Sequence, residues 1–139
     1  MIDWRERVAA GVLGLVLLGV LCVGAMLSPS PVGHGTHEQL GLPACGFYVS
    51  TGQPCPTCGM TTAFAHAAHA QPVQAFLTQP MGALLALGAS VMVWGCLHVA
   101  VLGSRLGRVG GRLMRPRVLW SLVGAWAASW GYTMLTWPG

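Results

Sequence analysis

The residues best suited to chemistry lie in the segment GQPCPTCGMTT, where Cys55 and Cys58 form a Cys-x-x-Cys pair. Such a turn presents two sulfurs on one side, and thiolates are both ligands for zinc and nucleophiles in disulfide exchange. A third cysteine, Cys45, precedes the pair on the same stretch of chain. The spacing leaves three interpretations open: a metal site, a redox pair, or a purely structural turn.

The metal interpretation takes Cys45, Cys55 and Cys58 as three ligands and His37, or His34 in its place, as the fourth. Three sulfurs and one nitrogen are a known structural zinc set, so zinc is the metal to expect at such a site. Strong zinc signatures carry two Cys-x-x-Cys pairs, however, and this chain has one.

The redox interpretation makes Cys55 and Cys58 the catalytic residues of a membrane thiol-disulfide oxidoreductase, with Cys45 as a third, exchanging thiol. A Cys-x-x-Cys pair at the start of a helix has its thiolate favoured by the helix dipole and by free N–H groups. Membrane oxidoreductases that relay electrons usually need a second pair on the same side, which is missing from this sequence. The sequence therefore leans away from an enzyme.

The structural interpretation needs no ligand and no reaction. Either Cys45 forms a disulfide with Cys55 or Cys58, or all three stay reduced in a buried turn. An odd number of cysteines on this part of the chain rules out a fully disulfide-paired monomer. In each case the segment forms a re-entrant cap over the helices, which membranes tolerate only where protein buries the backbone.

The composition is that of a membrane protein. Of the 139 residues, 54% are hydrophobic and 7% are charged, and the mean hydropathy is +0.63, whereas a soluble domain has roughly 25% charged residues. No charged side chain occurs between Glu38 and Arg105. The basic residues are all arginines without aromatic interleaving, which argues against nucleic-acid binding. The partner to expect is the lipid bilayer.

Three apolar segments reach the roughly 20 residues that a membrane-spanning helix needs. The sequence therefore predicts an all-α integral membrane protein with one domain, residues 1–139. Its predicted parts are spans at 8–27, 81–102 and 118–137, an outer Cys/His segment at 28–80 with a short helix at 59–70, and an Arg-rich loop at 103–117.

The orientation follows from the arginines, because short loops rich in Lys or Arg stay in the cytoplasm. Residues 103–117 carry five arginines, whereas residues 28–80 carry none. We therefore expect a cytoplasmic N-terminus, a cysteine segment outside, and a C-terminus outside.

Small residues at a spacing of four predict how the third span packs. Ser121, Ala125, Ser129 and Thr133 share one helix face. Because helices in lipid associate through close approach over small residues, this face is predicted to be a contact surface. Three helices make a thin bundle, so we expect either a homo-oligomer or membership of a larger membrane complex.

The stretch from Cys45 to Leu87 resembles a bacterial family of small membrane proteins known as domain of unknown function 2752. The shared pattern is a leading cysteine, then Thr-Gly-x-Pro-Cys-Pro-x-Cys-Gly-x-Thr-Arg, an alanine-rich helix and Asn-Pro before a span. Thr62 stands where the family has arginine, and Gln79 where it has asparagine. The resemblance implies a bacterial inner-membrane location and a cysteine-centred core, and brings no activity with it.

Together these observations predict an accessory or interaction subunit of the membrane, with a structural or metal-binding cysteine cap on the non-cytoplasmic side. The alternative is the thiol-disulfide oxidoreductase that uses Cys55 and Cys58.

Overall fold

The computed structural model describes residues 3–104 and 115–137. Every regular element in these two ranges is helical, which confirms the predicted all-α class. The elements in chain order are α1 (Trp4–Met26), a 3₁₀ helix (Thr36–Leu40), α2 (Gly46–Thr51), α3 (Met60–Ala68), α4 (Pro72–Thr78), α5 (Pro80–Leu102) and α6 (Pro116–Thr136). Most of the predicted Arg-rich loop, including Arg105, Arg108 and Arg112, lies outside the described residues.

Two of the described helices are long and apolar enough to cross a membrane. They are α1 and α5, each of 23 residues, with mean hydropathies of 2.6 and 2.0 over their most apolar stretch. The third predicted span is not confirmed: α6 has 21 residues but does not reach the same hydropathy. Its tryptophans, its tyrosine and its Ser and Thr residues lower that average.

The two apolar helices pack against each other in antiparallel fashion. Gly14 of α1 lies so close to α5 that a Cβ atom on it would stand 3.0 Å from the Cβ of Cys96. At the end of this pair, the Arg7 guanidinium donates hydrogen bonds of 3.0 Å to the carbonyl oxygens of Ala100 and Val101. Arg7 thus satisfies carbonyls that the last turn of α5 leaves without helical partners.

The short helix α3 lies against both long helices at the opposite end of the pair. A Cβ atom on Gly82 of α5 would stand 3.0 Å from the Cβ of Ala63, and one on Gly24 of α1 would stand 3.4 Å from the carbonyl oxygen of Phe64. Ala63 and Ala65 are fully buried in this contact. The alanine-rich sequence of α3 therefore serves close packing as well as helix propensity.

Helix α6 is attached through its C-terminal part. The hydroxyl of Ser129 accepts a hydrogen bond of 3.0 Å from the backbone N–H of Met81, at the first turn of α5. Tyr132 donates one of 3.0 Å to the carbonyl oxygen of Leu77. Ser129 and Thr133 are buried, whereas Ser121 and Ala125 of the same face are exposed. Within the described residues, the predicted contact face is therefore buried only at its last two residues, Ser129 and Thr133.

The close approach of α3 to α5 leads to a stability prediction. We expect Gly82→Val to lower the melting temperature of the purified protein, because the added atoms meet Ala63 and the Met60 backbone. Such overpacking typically costs about 1–3 kcal/mol. The matched control is Gly88→Val on the same helix, where a Cβ atom has nothing within 4 Å. Equal melting temperatures for the two variants in the same detergent would contradict the close contact.

Candidate functional site

The segment that leads to the Cys-x-x-Cys pair begins at the end of α2. Gly52 adopts a left-handed conformation (φ 69°) that ends the helix, a conformation that glycine adopts without a Cβ penalty. Two residues later Pro54 is fully buried. Its carbonyl oxygen accepts a hydrogen bond of 3.1 Å from the indole N–H of Trp130 on α6. A helix far along the chain thus holds the backbone next to Cys55.

The pair itself forms a tight turn that opens α3. The backbone N–H of Cys58 donates to the carbonyl oxygen of Cys55 at 3.0 Å. Gly59 follows with φ 82°, and a Cβ atom on it would stand 3.1 Å from the carbonyl oxygen of Gly33. Only glycine satisfies both the positive φ and the close approach. The chain thus passes directly from the turn into α3 at Met60.

The structure brings the three predicted cysteines together. The sulfurs of Cys55 and Cys58 are 3.0 Å apart, and the backbone N–H of Cys55 donates to the Cys58 sulfur at 3.2 Å. The Cys45 sulfur joins them, and all three sulfurs lie within 4.8 Å of one another. All three are free thiols, so the alternative with a Cys45 disulfide is not the arrangement seen here. The cluster can hold a metal ion by its ligand type and spacing.

The sulfur cluster opens into a cavity of about 400 Å³. Its walls come from the 3₁₀ helix, α2, the start of α3 and the end of α6. One wall is aromatic: the rings of His34 and Trp137 stack at 4.6 Å between centroids, and Tyr48 meets Trp137 edge-on at 5.4 Å. The cysteines are therefore reachable through a defined space.

The predicted nitrogen ligand stands apart from the sulfurs. His37 lines the same cavity, but its Nε2–H donates to the carbonyl oxygen of Pro43 at 3.2 Å. The compact group of ligand atoms in the described residues consists of the three cysteines alone. His34, the other nitrogen considered, packs between Tyr48 and Trp137. The structure thus joins three of the four predicted ligands.

A comparison with models of protein families supports the resemblance seen in the sequence. Residues 45–93 match the family model described as "Protein of unknown function (DUF2752)". The match confirms the family resemblance over residues 45–93, the DUF2752 segment. No curated protein and no solved structure matches the chain. The family segment contains the sulfur cluster, α3 and the first part of α5.

The two positions where the DUF2752 segment departs from the expected pattern are both buried. The hydroxyl of Thr62 is hydrogen-bonded to that of Thr36 at 2.8 Å, and Thr36 in turn accepts from the backbone N–H of Ser30 at 3.0 Å. Gln79 caps α5 by accepting from the N–H of Gly82. Thr62 thus fastens the preceding loop to the family segment, and Gln79 caps the junction between α4 and α5 within that segment.

The two thiols of the pair differ in acidity. Burial alone raises the pKa of Cys55, but hydrogen bonds from Cys58 and Thr57 outweigh it and lower that pKa from 9.0 to about 7. Burial raises the pKa of Cys58 to about 12, and its hydrogen bond to Cys55 adds to the increase. Cys55 therefore carries the thiolate near neutral pH, while Cys58 keeps its proton.

The sequence did not predict the residues that are far from the cysteines in the chain and yet hold or line the site. Trp130 and Trp137 both fall in the predicted span 118–137, with Trp137 expected at the membrane interface, and Thr62 was predicted only as a departure from a pattern. Nothing local in the sequence connects Trp130 to Pro54, since the two are 76 residues apart. The one available signal was that Trp137 and Tyr48 are amphipathic aromatics, which often lie where one end of the ring is apolar and the other polar.

The acidity difference predicts how alkylation depends on pH. In the reduced, metal-free protein we expect the rate of Cys55 alkylation to rise with pH and reach half its maximum near pH 7, because only the thiolate reacts and its pKa is lowered to about 7. Peptide-resolved mass spectrometry after short pulses of iodoacetamide measures this rate. Cys58 should stay largely unmodified in the same pulses. A midpoint near pH 9 for Cys55 would contradict the assignment.

Proposed function

We propose that this protein is a small integral membrane protein whose Cys55–Cys58 pair undergoes reversible thiol-disulfide exchange, with Cys45 as a third thiol. One observation carries the proposal: the two sulfurs are 3.0 Å apart at the start of a helix, with a third sulfur within 4.8 Å of both. A disulfide of about 2.05 Å then needs little more than side-chain rotation.

The positions of the cysteines suggest their roles. Cys55 is partly exposed and lines the cavity, so its thiolate attacks a disulfide that enters there and displaces one sulfur of that disulfide. Cys58, which is buried, then loses its proton and attacks Cys55. This second step forms the Cys55–Cys58 disulfide and releases the former disulfide as a dithiol. The pair is oxidised by two electrons and its substrate is reduced by two.

The proposal includes a membrane arrangement with three spans. In this arrangement α1, α5 and α6 cross the inner membrane of a bacterium, the N-terminus is cytoplasmic, and the cysteine segment and the C-terminus are outside. The contact of Arg7 with Ala100 and Val101 supports it, because it joins the start of α1 to the end of α5 at one side. The arginines of residues 103–117 favour the cytoplasm for that side. Disulfides form and persist on the opposite, non-cytoplasmic side.

A second candidate function is an accessory membrane subunit, in a homo-oligomer or a larger complex, whose cysteine cap holds a metal ion. The residues present fit this chemistry. Two thiolates bound at 2.3 Å to a tetrahedral zinc are about 3.8 Å apart, and the sulfur separations here run from 3.0 Å for one pair to at most 4.8 Å. Cys45, Cys55 and Cys58 would hold the ion, with His37 from the same cavity as a fourth ligand. Zinc would supply a structural cross-link without redox chemistry.

The exchange function predicts a trapped intermediate. We expect the Cys45→Ser/Cys58→Ser double variant to accumulate a mixed disulfide on Cys55 when the purified protein is incubated with oxidised glutathione, because neither neighbouring thiol remains to resolve it. Intact-mass spectrometry measures the adduct. The matched control is Cys22→Ser, which removes an exposed thiol of α1 and should form a Cys55–Cys58 disulfide without an adduct. A wild-type pair that stays reduced under both glutathione and diamide would contradict the function.

The metal function predicts stoichiometric binding. Protein purified with zinc supplied and then dialysed should retain one zinc per chain, and Cys45→Ser should lose most of it, since two thiolates remain of three. Elemental analysis measures the ratio, with Cys22→Ser again as the control that keeps its metal. Zinc well below one per chain in the control would rule out the metal function and leave the exchange function standing.

A further inference from the structure

A second cavity lies beside the sulfur cluster, between the outer half of α1 and α3. It is a groove of about 580 Å³ whose lining is almost entirely apolar. Gly19 lines it without a side chain, and a Cβ atom on this residue would have nothing within 4 Å. Phe64 of α3 forms its other wall. On a helix apolar enough to cross a membrane, such a groove is open to the hydrocarbon.

The groove has the dimensions of one extended lipid chain in one leaflet. Its lining on α1 runs from Val16 to Leu27, which is about 16 Å at the rise of an α-helix. Half of a hydrocarbon core about 30 Å thick is close to that length. The groove thus covers the half of the membrane that is nearer the cysteine segment.

The groove and the sulfur cavity share two wall residues at the start of α3. Met60 and Thr61 line both spaces, and Cys58 precedes Met60 by one glycine in the chain. Thr61 also brings a hydroxyl to the junction. A molecule with an apolar chain in the groove would therefore have its polar head at the wall that the groove shares with the sulfur cavity.

We propose that the groove binds the isoprenoid chain of a membrane quinone, and that the quinone head oxidises the Cys55–Cys58 pair. This inference rests on the reversible exchange function proposed above. When that exchange runs in the direction in which an outer dithiol reduces the pair, the pair needs an electron acceptor within the membrane. Ordinary lipids have the chain but cannot accept electrons, whereas a quinone combines an apolar chain with a two-electron head.

The reaction balances without another reactant. The thiols of Cys55 and Cys58 lose two electrons and two protons as the S–S bond forms. The two carbonyl oxygens of the quinone take up both electrons and both protons and become the hydroxyls of the quinol. The exchange described above then runs in reverse: a dithiol outside the membrane reduces the Cys55–Cys58 disulfide and is itself oxidised to a disulfide. Electrons thus pass from that dithiol through Cys55 and Cys58 to the quinone.

The test uses the full-length, reduced protein in nanodiscs that contain ubiquinone with its isoprenoid chain, without oxygen. We expect thiol counting to show loss of the Cys55 and Cys58 thiols and ultraviolet absorbance to show an equal amount of quinol. Gly19→Leu should slow this reaction about tenfold or more. The leucine side chain fills the groove, and the isoprenoid chain then binds with at least about tenfold lower affinity. The matched control is Gly88→Leu on α5, which is equally free of contacts and lies outside the groove, and it should react at the wild-type rate.

Two further arms separate the ways in which the proposal can fail. The tail-less benzoquinone head should oxidise wild-type protein and Gly19→Leu at equal rates, since it does not use the groove. Diamide should form the Cys55–Cys58 disulfide in every variant. If diamide does so and the isoprenoid quinone does not, the quinone proposal is overturned while the exchange function stands. If diamide also fails, both are overturned. Equal rates for Gly19→Leu and Gly88→Leu with the isoprenoid quinone would remove the groove from the proposal and overturn it.

Discussion

The fold depends on one contact, the close approach of α3 to α1 and α5 over residues that lack long side chains. Gly24 and Gly82 admit the α3 backbone to near van der Waals distance, and the buried alanines of α3 fill the space that remains. In lipid this kind of packing, and not hydrophobic burial, holds helices together. Because α3 begins directly after the cysteine pair, this packing also sets where the sulfurs stand with respect to the two apolar helices.

The chemistry of the site follows from how tightly the turn before α3 is constrained. Two left-handed glycines, Gly52 and Gly59, bracket the pair, and Trp130 holds the carbonyl of Pro54 between them. A backbone held at several points keeps the sulfurs of Cys55 and Cys58 in contact while their surroundings differ. The difference in acidity between two chemically identical side chains is therefore a property of the turn and of its burial.

Much of this arrangement could be predicted from the sequence where the signal is local. Long apolar runs predicted helices over α1 and α5, and the spacing of Cys55 and Cys58 with Cys45 nearby predicted a three-sulfur cluster. The contacts that depend on tertiary packing could not be predicted in the same way. Trp137 stacks on His34, which is far from it in the chain. The periodicity of the sequence therefore could not predict this contact. Closeness in sequence does not fix the position of His37 either. It lines the same cavity as the sulfurs, but its N–H bonds to the carbonyl oxygen of Pro43.

The attachment of α6 through its C-terminal part has a consequence for biosynthesis. The DUF2752 segment ends at residue 93, but the indole groups that hold its turn and wall its cavity are those of Trp130 and Trp137. A chain emerging from its N-terminus presents the three thiols before either indole has been made. During that interval the cysteines lack this wall of their cavity, and the carbonyl of Pro54 lacks its indole partner.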